Sequence, residues 1–322
     1  MESRKQLIDA MRKFYNAPEE FALDMNLVPN KNDKYKCKKC GENLKLGLKK
    51  RASNSIFACP RCKFSVSYLC GTIFENSNIS IRAILHLAYH WARDHSYHEI
   101  RCHPETFDMS SPTISDWVYK FRGIVVGDLA RIYRQKIGGV GRFVQIHECK
   151  FGEIECDENS DKKEPKWVLG ALDSETKDLR IGLLPGNKRS RETIKPLLES
   201  FVKRGSTIIS DCSSSFDFLD EPTSGFIHEK IDRSKSLVIT KGDTKIHTNN
   251  IIATWRPFKD FFRTRRLAVE NFHFALKDFE WRRMMRLQKK DEFLEFLKLC
   301  AKTYKPKLLD HLPHNVPIDL PE

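Results

Sequence analysis

Ser206-Thr207-Ile208-Ile209-Ser210-Asp211 is the stretch on which the reading of the fold turns. Its β-branched centre makes a short buried strand, and an acid stands where the apolar run stops. Upstream, Phe143-Val144-Gln145-Ile146-His147 alternates apolar and polar residues, as a half-buried strand does. Lys166-Trp167-Val168-Leu169-Gly170-Ala171-Leu172 and Leu179-Arg180-Ile181-Gly182-Leu183-Leu184 are two further strand-like runs. A helical pattern from Arg191 to Val202 separates them from Ser206, and the chain beyond Trp255 reads as helical, rich in aromatics and arginine.

Three strands, a helix, a strand and later helices form the order of a ribonuclease-H-like α/β domain. Working outward, residues 139–310 are assigned to that domain and 311–322 to a tail. Residues 75–138 read as a small helical bundle of helix-turn-helix character. Within it Ile81, Ile84, Leu85, Ala88 and Trp91 share one helical face. Further helices are expected at His98-Glu99-Ile100 and from Ser111, a good N-cap followed by Pro112. Residues 1–34 form an N-terminal helical segment, with Leu7, Met11 and Phe14 as one stripe and Pro18 opening a second helix.

Residues 35–74 carry the strongest local signal. Cys37-x2-Cys40 and Cys59-Pro60-Arg61-Cys62 are two knuckles separated by a loop, the arrangement that brings four thiolates round one tetrahedral Zn²⁺. Gly41 permits the tight turn after the first pair. A structural zinc ribbon is therefore expected, with the ion supplying most of the folding energy of so small a segment. The other six cysteines, Cys70, Cys102, Cys149, Cys156, Cys212 and Cys300, are read as small buried hydrophobes.

The net charge of +13 is unevenly spread. Lys31 to Lys63 holds eleven Lys or Arg against two acids, and Arg256 to Asp310 fifteen against eight, so the rest is slightly acidic in sum. Two basic blocks around a neutral middle fit a polyanionic partner. Lys36, Lys38, Lys39, Lys49, Lys50, Arg51, Arg61 and Lys63 around the knuckles are the expected phosphate contacts. The aromatics Phe258, Phe261, Phe262, Phe272, Phe274, Phe279 and Trp281 are expected to pack a helical core, with an interface as the alternative. No apolar run is long enough to cross a bilayer and the first residues lack the apolar stretch of a signal peptide, so no membrane association and a cytosolic or nuclear place are expected.

These motifs, in their order, resemble the Merlin-type (ISXO2-like) DDE transposases of eukaryotes and their bacterial insertion-sequence relatives over nearly the whole chain. Gly71-Thr72-Ile73-Phe74-Glu75-Asn76-Ser77 is similar to the family's G-T-I-F-x-x-S. Val144-Gln145-Ile146-His147-Glu148-Cys149-Lys150-Phe151-Gly152 stands where the family reads V-E-I-D-E-x-x-F-G. Trp167-Val168-Leu169-Gly170 fits the second strand, and Gly205 to Asp211 the strand with the second catalytic aspartate. His247-Thr248-Asn249-Asn250-Ile251-Ile252-Ala253-Thr254-Trp255 resembles H-T-N-x-I-E-x-x-W.

The resemblance implies a centre of three carboxylates holding two divalent ions about 3.5–4 Å apart, which activate a nucleophile and stabilise the leaving oxygen. Asp211 matches the second of them, His147 stands at the first and Ile252 at the third. Strand alternation turns Glu148 to the other face. Asp232 lies where the family has Asn-His, and nothing in the pattern draws it into the centre. The reading that follows is a domesticated, catalytically inactive nuclear protein that binds DNA or chromatin, within a larger assembly or as a homodimer. An active transposase or nuclease with an altered metal site, using Mg²⁺ or Mn²⁺, is one alternative. A protein–protein adaptor without DNA binding is the other.

Overall fold

A computed structural model describes residues 2–48, 55–132, 135–155, 163–241, 244–263 and 272–307. The chain divides into two compact units, Met1–Ile124 with Asp291–Glu322, and Val125–Lys290.

The first unit begins with α1 (Glu2–Asn16) and α2 (Pro18–Asp24), with Pro18 at the helix start as expected. A three-stranded antiparallel sheet follows, β1 (Lys45–Leu48), β2 (Ser55–Ala58) and β3 (Ser65–Ser67), in that spatial order. Tyr35 and Phe57, both buried, meet edge to face at 5.1 Å and form its small core. Next come α3 (Ile81–Ala92), α4 (Tyr97–Arg101) and α5 (Ser111–Ile132). Ser96 and Glu99 cap α4 reciprocally. The cap of α5 falls one residue earlier than the sequence suggests. Ser110 Oγ accepts the Thr113 amide at 3.2 Å, which leaves Ser111 inside the helix. The last helix, α9 (Glu292–Thr303), also belongs to this unit, with Phe293 packed on Phe14, Phe21 and Tyr89.

The second unit is a five-stranded mixed sheet with helices on both faces. Its strands are β4 (Phe143–Glu155), β5 (Lys163–Asp173), β6 (Leu179–Leu183), β7 (Thr207–Asp211) and β8 (Ile227–Ile231), in the order β6-β5-β4-β7-β8. β4, β5 and β6 pair antiparallel, whereas β7 and β8 run parallel beside β4. Alternation along β4 sends Val144 and Ile146 into a cluster with Ile194, Leu198 and Phe201 of α6 (Arg191–Phe201). Cys149 and Phe151 face the other way, into a cluster with Trp255 and Phe258 of α7 (Asn249–Arg263) and Phe272 and Phe279 of α8 (Phe272–Leu287). β5 is covered on both sides, which is why its sequence reads as a continuous apolar run. β9 (Ile239–Lys241) and β10 (Thr244–Ile246) form a separate hairpin.

The aromatic series after residue 255 is core. Phe258, Phe261, Phe262, Phe272 and Phe279 join one cluster, Trp281 is buried, and Phe274 is partly exposed beside His273. Of the six scattered cysteines, Cys149 and Cys300 are buried as expected. Cys102 and Cys212 are exposed and Cys70 is intermediate, so the expectation fails for them, and Cys156 lies outside the described residues. Cys102 and Cys212 sit in the short connections after α4 and β7, where loops run over the surface.

Candidate functional site

The four knuckle cysteines converge. Sγ of Cys37 lies 3.5 Å from that of Cys62, and Sγ of Cys40 lies 3.4 Å from that of Cys59. All four sulfurs stand within 4.8 Å of one another. Zn–S bonds of about 2.3 Å in a tetrahedron place sulfurs about 3.8 Å apart, so the donor set and its size fit a structural zinc ion.

Each knuckle is a turn closed on its first cysteine. The Gly41 amide donates to Cys37 O at 2.8 Å, with Gly41 at φ +73°. The Lys63 amide donates to Cys59 O at 3.2 Å, with Lys63 at φ +60°. The second knuckle thus places a lysine in the left-handed region that the first gives to glycine. The Cys62 amide also points at Cys59 Sγ, and this donor pulls the Cys59 thiol down to about 7, toward the thiolate that a metal binds.

Lys36, Lys38, Lys39, Arg61 and Lys63 are all exposed, each within two residues of a ligand cysteine. Lys39 lies over the Phe64 ring and Lys63 donates to Pro60 O, which holds both near the knuckles. Lys49, Lys50 and Arg51 lie outside the described residues. The neighbouring Gly71-to-Ser77 motif is a structural joint. A Cβ on Gly71 would come 2.5 Å from Lys305 O, while Thr72 Oγ1 donates to Leu69 O and accepts the Phe74 amide.

In the sheet-bearing unit, β4 and β7 run parallel with Gln145 opposite Ile209, a register that carries His147 to the level of Asp211. Their side chains meet, His147 Nε2 lying 3.7 Å from Asp211 Oδ2. The other oxygen of Asp211 accepts the Ser213 amide at 3.2 Å. The far side of the imidazole is taken, because Trp255 Nε1 of α7 donates to His147 Nδ1 at 3.0 Å. An indole N–H can only donate. Nδ1 therefore carries the lone pair, and the proton of the neutral ring sits on Nε2, on the side facing Asp211. Burial holds His147 below the ordinary histidine range, Asp211 pulls it up, and Arg233 pushes it down again.

The third position brings no ligand. Ile252 is partly buried against the cluster of Cys149, Phe151 and Trp255. Glu148 points to the opposite face, as alternation requires, and pairs there with Arg189 and with Ser215 Oγ at 2.8 Å. Asp232 is bound to the Ser234 amide and hydroxyl and to Lys235. Among the described residues, no group of three or more His, Cys, Asp or Glu side chains gathers around Asp211.

A two-ion carboxylate centre needs several hard oxygen ligands. Here the three positions offer one carboxylate, one imidazole whose lone pair faces an N–H donor, and an aliphatic chain. The residues present do not fit such a centre.

Two residues that hold this region together carry no motif of their own. Gln145, fully buried on β4, accepts the Asn250 and Ile251 amides at 3.1 Å each with its side-chain oxygen, capping the start of α7 from a strand. Its amide nitrogen faces Ser174 and His247. Gly170, paired with His147 across β4 and β5, leaves the space that Trp255 fills. A Cβ there would stand 2.6 Å from the indole ring. The only sequence signal for either was its place within a family-like motif.

The sheet order, a parallel β7 carrying an acid beside β4, and helices on both faces of the sheet fit a ribonuclease-H-like transposase domain. A family model described as the ISXO2-like transposase domain matches residues 137–283. No curated protein matches the chain. Among the described residues no helix is long and apolar enough to cross a membrane.

Proposed function

We propose that this is a domesticated transposase-derived protein that binds DNA or chromatin in the nucleus and no longer cuts it. The observation that carries this reading is the state of the catalytic positions. Asp211 alone remains as a carboxylate, while His147 and Ile252 are engaged by Trp255 and the helix core. Removing two of three carboxylates removes most of the charge that holds Mg²⁺ or Mn²⁺.

DNA contact is assigned to Lys36, Lys38, Lys39, Arg61 and Lys63 in the ribbon, with Lys49, Lys50 and Arg51 in the same basic stretch. The helix-turn-helix-like bundle adds to that surface, and the sheet domain serves as a scaffold. Transposase descent also supports action as a homodimer or within a larger nuclear assembly, since two transposon ends must be paired.

The test has two arms on the full chain. Binding to duplex DNA is followed from low to physiological salt. Five phosphate contacts lose affinity by several hundred-fold, on the order of magnitude, between about 50 and about 200 mM salt. A flat response, unchanged by substitution of Lys38 and Lys39, would instead indicate a protein adaptor. Nicking and strand transfer are then assayed with Mg²⁺ and Mn²⁺, with Asp211→Ala as control. No cleavage above that control is expected, and Asp211-dependent nicking would overturn the inactive reading.

A further inference from the structure

Outside both sites, three histidines of the first unit gather together. His86 and His90 are four residues apart on α3 and so share one helix face. His103 follows the end of α4, on the connection to α5. One ring nitrogen from each lies within 4.8 Å of the others. The His86 and His103 rings stack at 4.9 Å between centroids, and those of His90 and His103 meet at 4.6 Å.

His86 is only 2% exposed and His90 only 6%. Buried polar atoms are nearly always hydrogen-bonded. Yet both ring nitrogens of His86 and Nε2 of His90 have no hydrogen-bond partner among the described residues. His90 Nδ1 does have one, lying 2.7 Å from Nδ1 of the exposed His95. When His90 donates in that bond its Nε2 is left with a bare lone pair. A metal-ligating histidine has this arrangement, its second nitrogen donating to an outer partner that orients the ring.

We propose that His86, His90 and His103 form a second zinc site, independent of the cysteine cluster. The donors are three neutral imidazoles, which suit zinc and similar transition ions and not Mg²⁺ or Ca²⁺. Zn–N bonds of about 2.0–2.1 Å put tetrahedral nitrogens about 3.3 Å apart, so loading draws the rings together by about 1.5 Å at most. Burial already pushes His86 and His90 down to about 4, which keeps them in the neutral, ligating form. His103 accepts the Glu105 amide at Nδ1 over 3.3 Å, and coordination replaces that long bond. Glu105 pairs with Arg82 and Glu99 caps Ser96, so both acids are occupied elsewhere. His103 is the least buried of the three. The bound ion would tie α3 to the turn between α4 and α5 and so fix the geometry of the helix-turn-helix-like bundle.

The experiment loads the chelator-stripped full chain with Zn²⁺ or Co²⁺ alone and counts bound equivalents. Two equivalents are expected in the unmodified chain. Cys40→Ser with Cys62→Ser should retain one, with a cobalt spectrum lacking thiolate charge transfer. His86→Phe with His90→Phe should retain the other, with that charge transfer intact and far-ultraviolet circular dichroism unchanged, which shows that the helices still fold. X-ray absorption at the zinc edge of the unmodified chain needs no variant and should show nitrogen as well as sulfur neighbours. A single equivalent with sulfur neighbours only, or two equivalents unaffected by the histidine substitutions, overturns the proposal.

Discussion

In the ribbon, four thiols stand at metal-ligand separations and every position of the pattern is filled, whereas at the end of β7, beside the middle of β4, one carboxylate faces an imidazole and the third position is an isoleucine. The two centres differ in what they do without an ion. A cluster of thiolates is held together by its metal and has little else to replace it. Converging carboxylates repel one another unless a cation lies between them. Exchanging one for a neutral histidine and another for an aliphatic side chain removes that repulsion. Here His147 is held by Trp255 and Ile252 packs against the helix core.

That contrast can be broken most sharply at the ribbon. Cys40→Ser, or chelation of the unmodified chain, should release an interaction on the scale of 10–16 kcal/mol, that is, about the whole stability of a small zinc module. Hydrogen exchange of β1, β2 and β3 should then approach unfolded rates while β4, β5 and β7 stay protected. Unchanged protection of the ribbon after chelation would show that it does not depend on metal.

The next effect is expected where Trp255 is seated. Gly170→Ala places a Cβ 2.6 Å from the indole and 2.9 Å from Ile251 Cδ1, inside the packed face of β5. Overpacking of this kind costs about 1–3 kcal/mol, read as a lower denaturation midpoint of the sheet-bearing unit with the ribbon unaffected. A neutral result would mean that the His147–Trp255 contact has slack.

Gln145→Ala should cost about 1–2 kcal/mol, because two amides at the start of α7 lose their buried acceptor. Gln145→Glu keeps the acceptor and should lose less, and an equal loss from both substitutions would argue against the cap.

The smallest effect tests the tautomer. Trp255→Phe removes one hydrogen bond, about 0.5–1.5 kcal/mol, and frees Nδ1 to take a proton. Since His147 titrates below its unfolded value of about 6.5, the unfolded chain binds protons first as pH falls. The stability this gives the neutral ring is fully present above about pH 6.5 and is lost below it. In Trp255→Phe the His147 titration, followed by NMR, should move up and that acid loss should shrink. An unmoved titration would remove the argument that Nδ1 is occupied.

Much of this was legible in local pattern. Alternation at Val144-Gln145-Ile146-His147 and the continuous run before Gly170 anticipated a strand half covered and a strand covered on both faces, because side-chain period follows directly from backbone pleat. The histidine pair was also visible, as His86-x3-His90 within a helical stripe. Its third member lies beyond α4, so no local spacing marks the set.

The sequence by itself determined the cysteine cluster, since two short knuckles set their ligands within a few residues of each other and the geometry of each is local. It also placed His147, Asp211 and Ile252 at positions where the resemblance implies carboxylates, with only Asp211 an acid. Only the tertiary structure decided what those replacements do. Trp255 reaches His147 across 108 residues of chain and Gln145 caps α7 across 105, and such contacts have no period or spacing from which to be read. They exist because β4, β7 and α7 are brought side by side, and the chemistry left at Asp211 follows from that meeting.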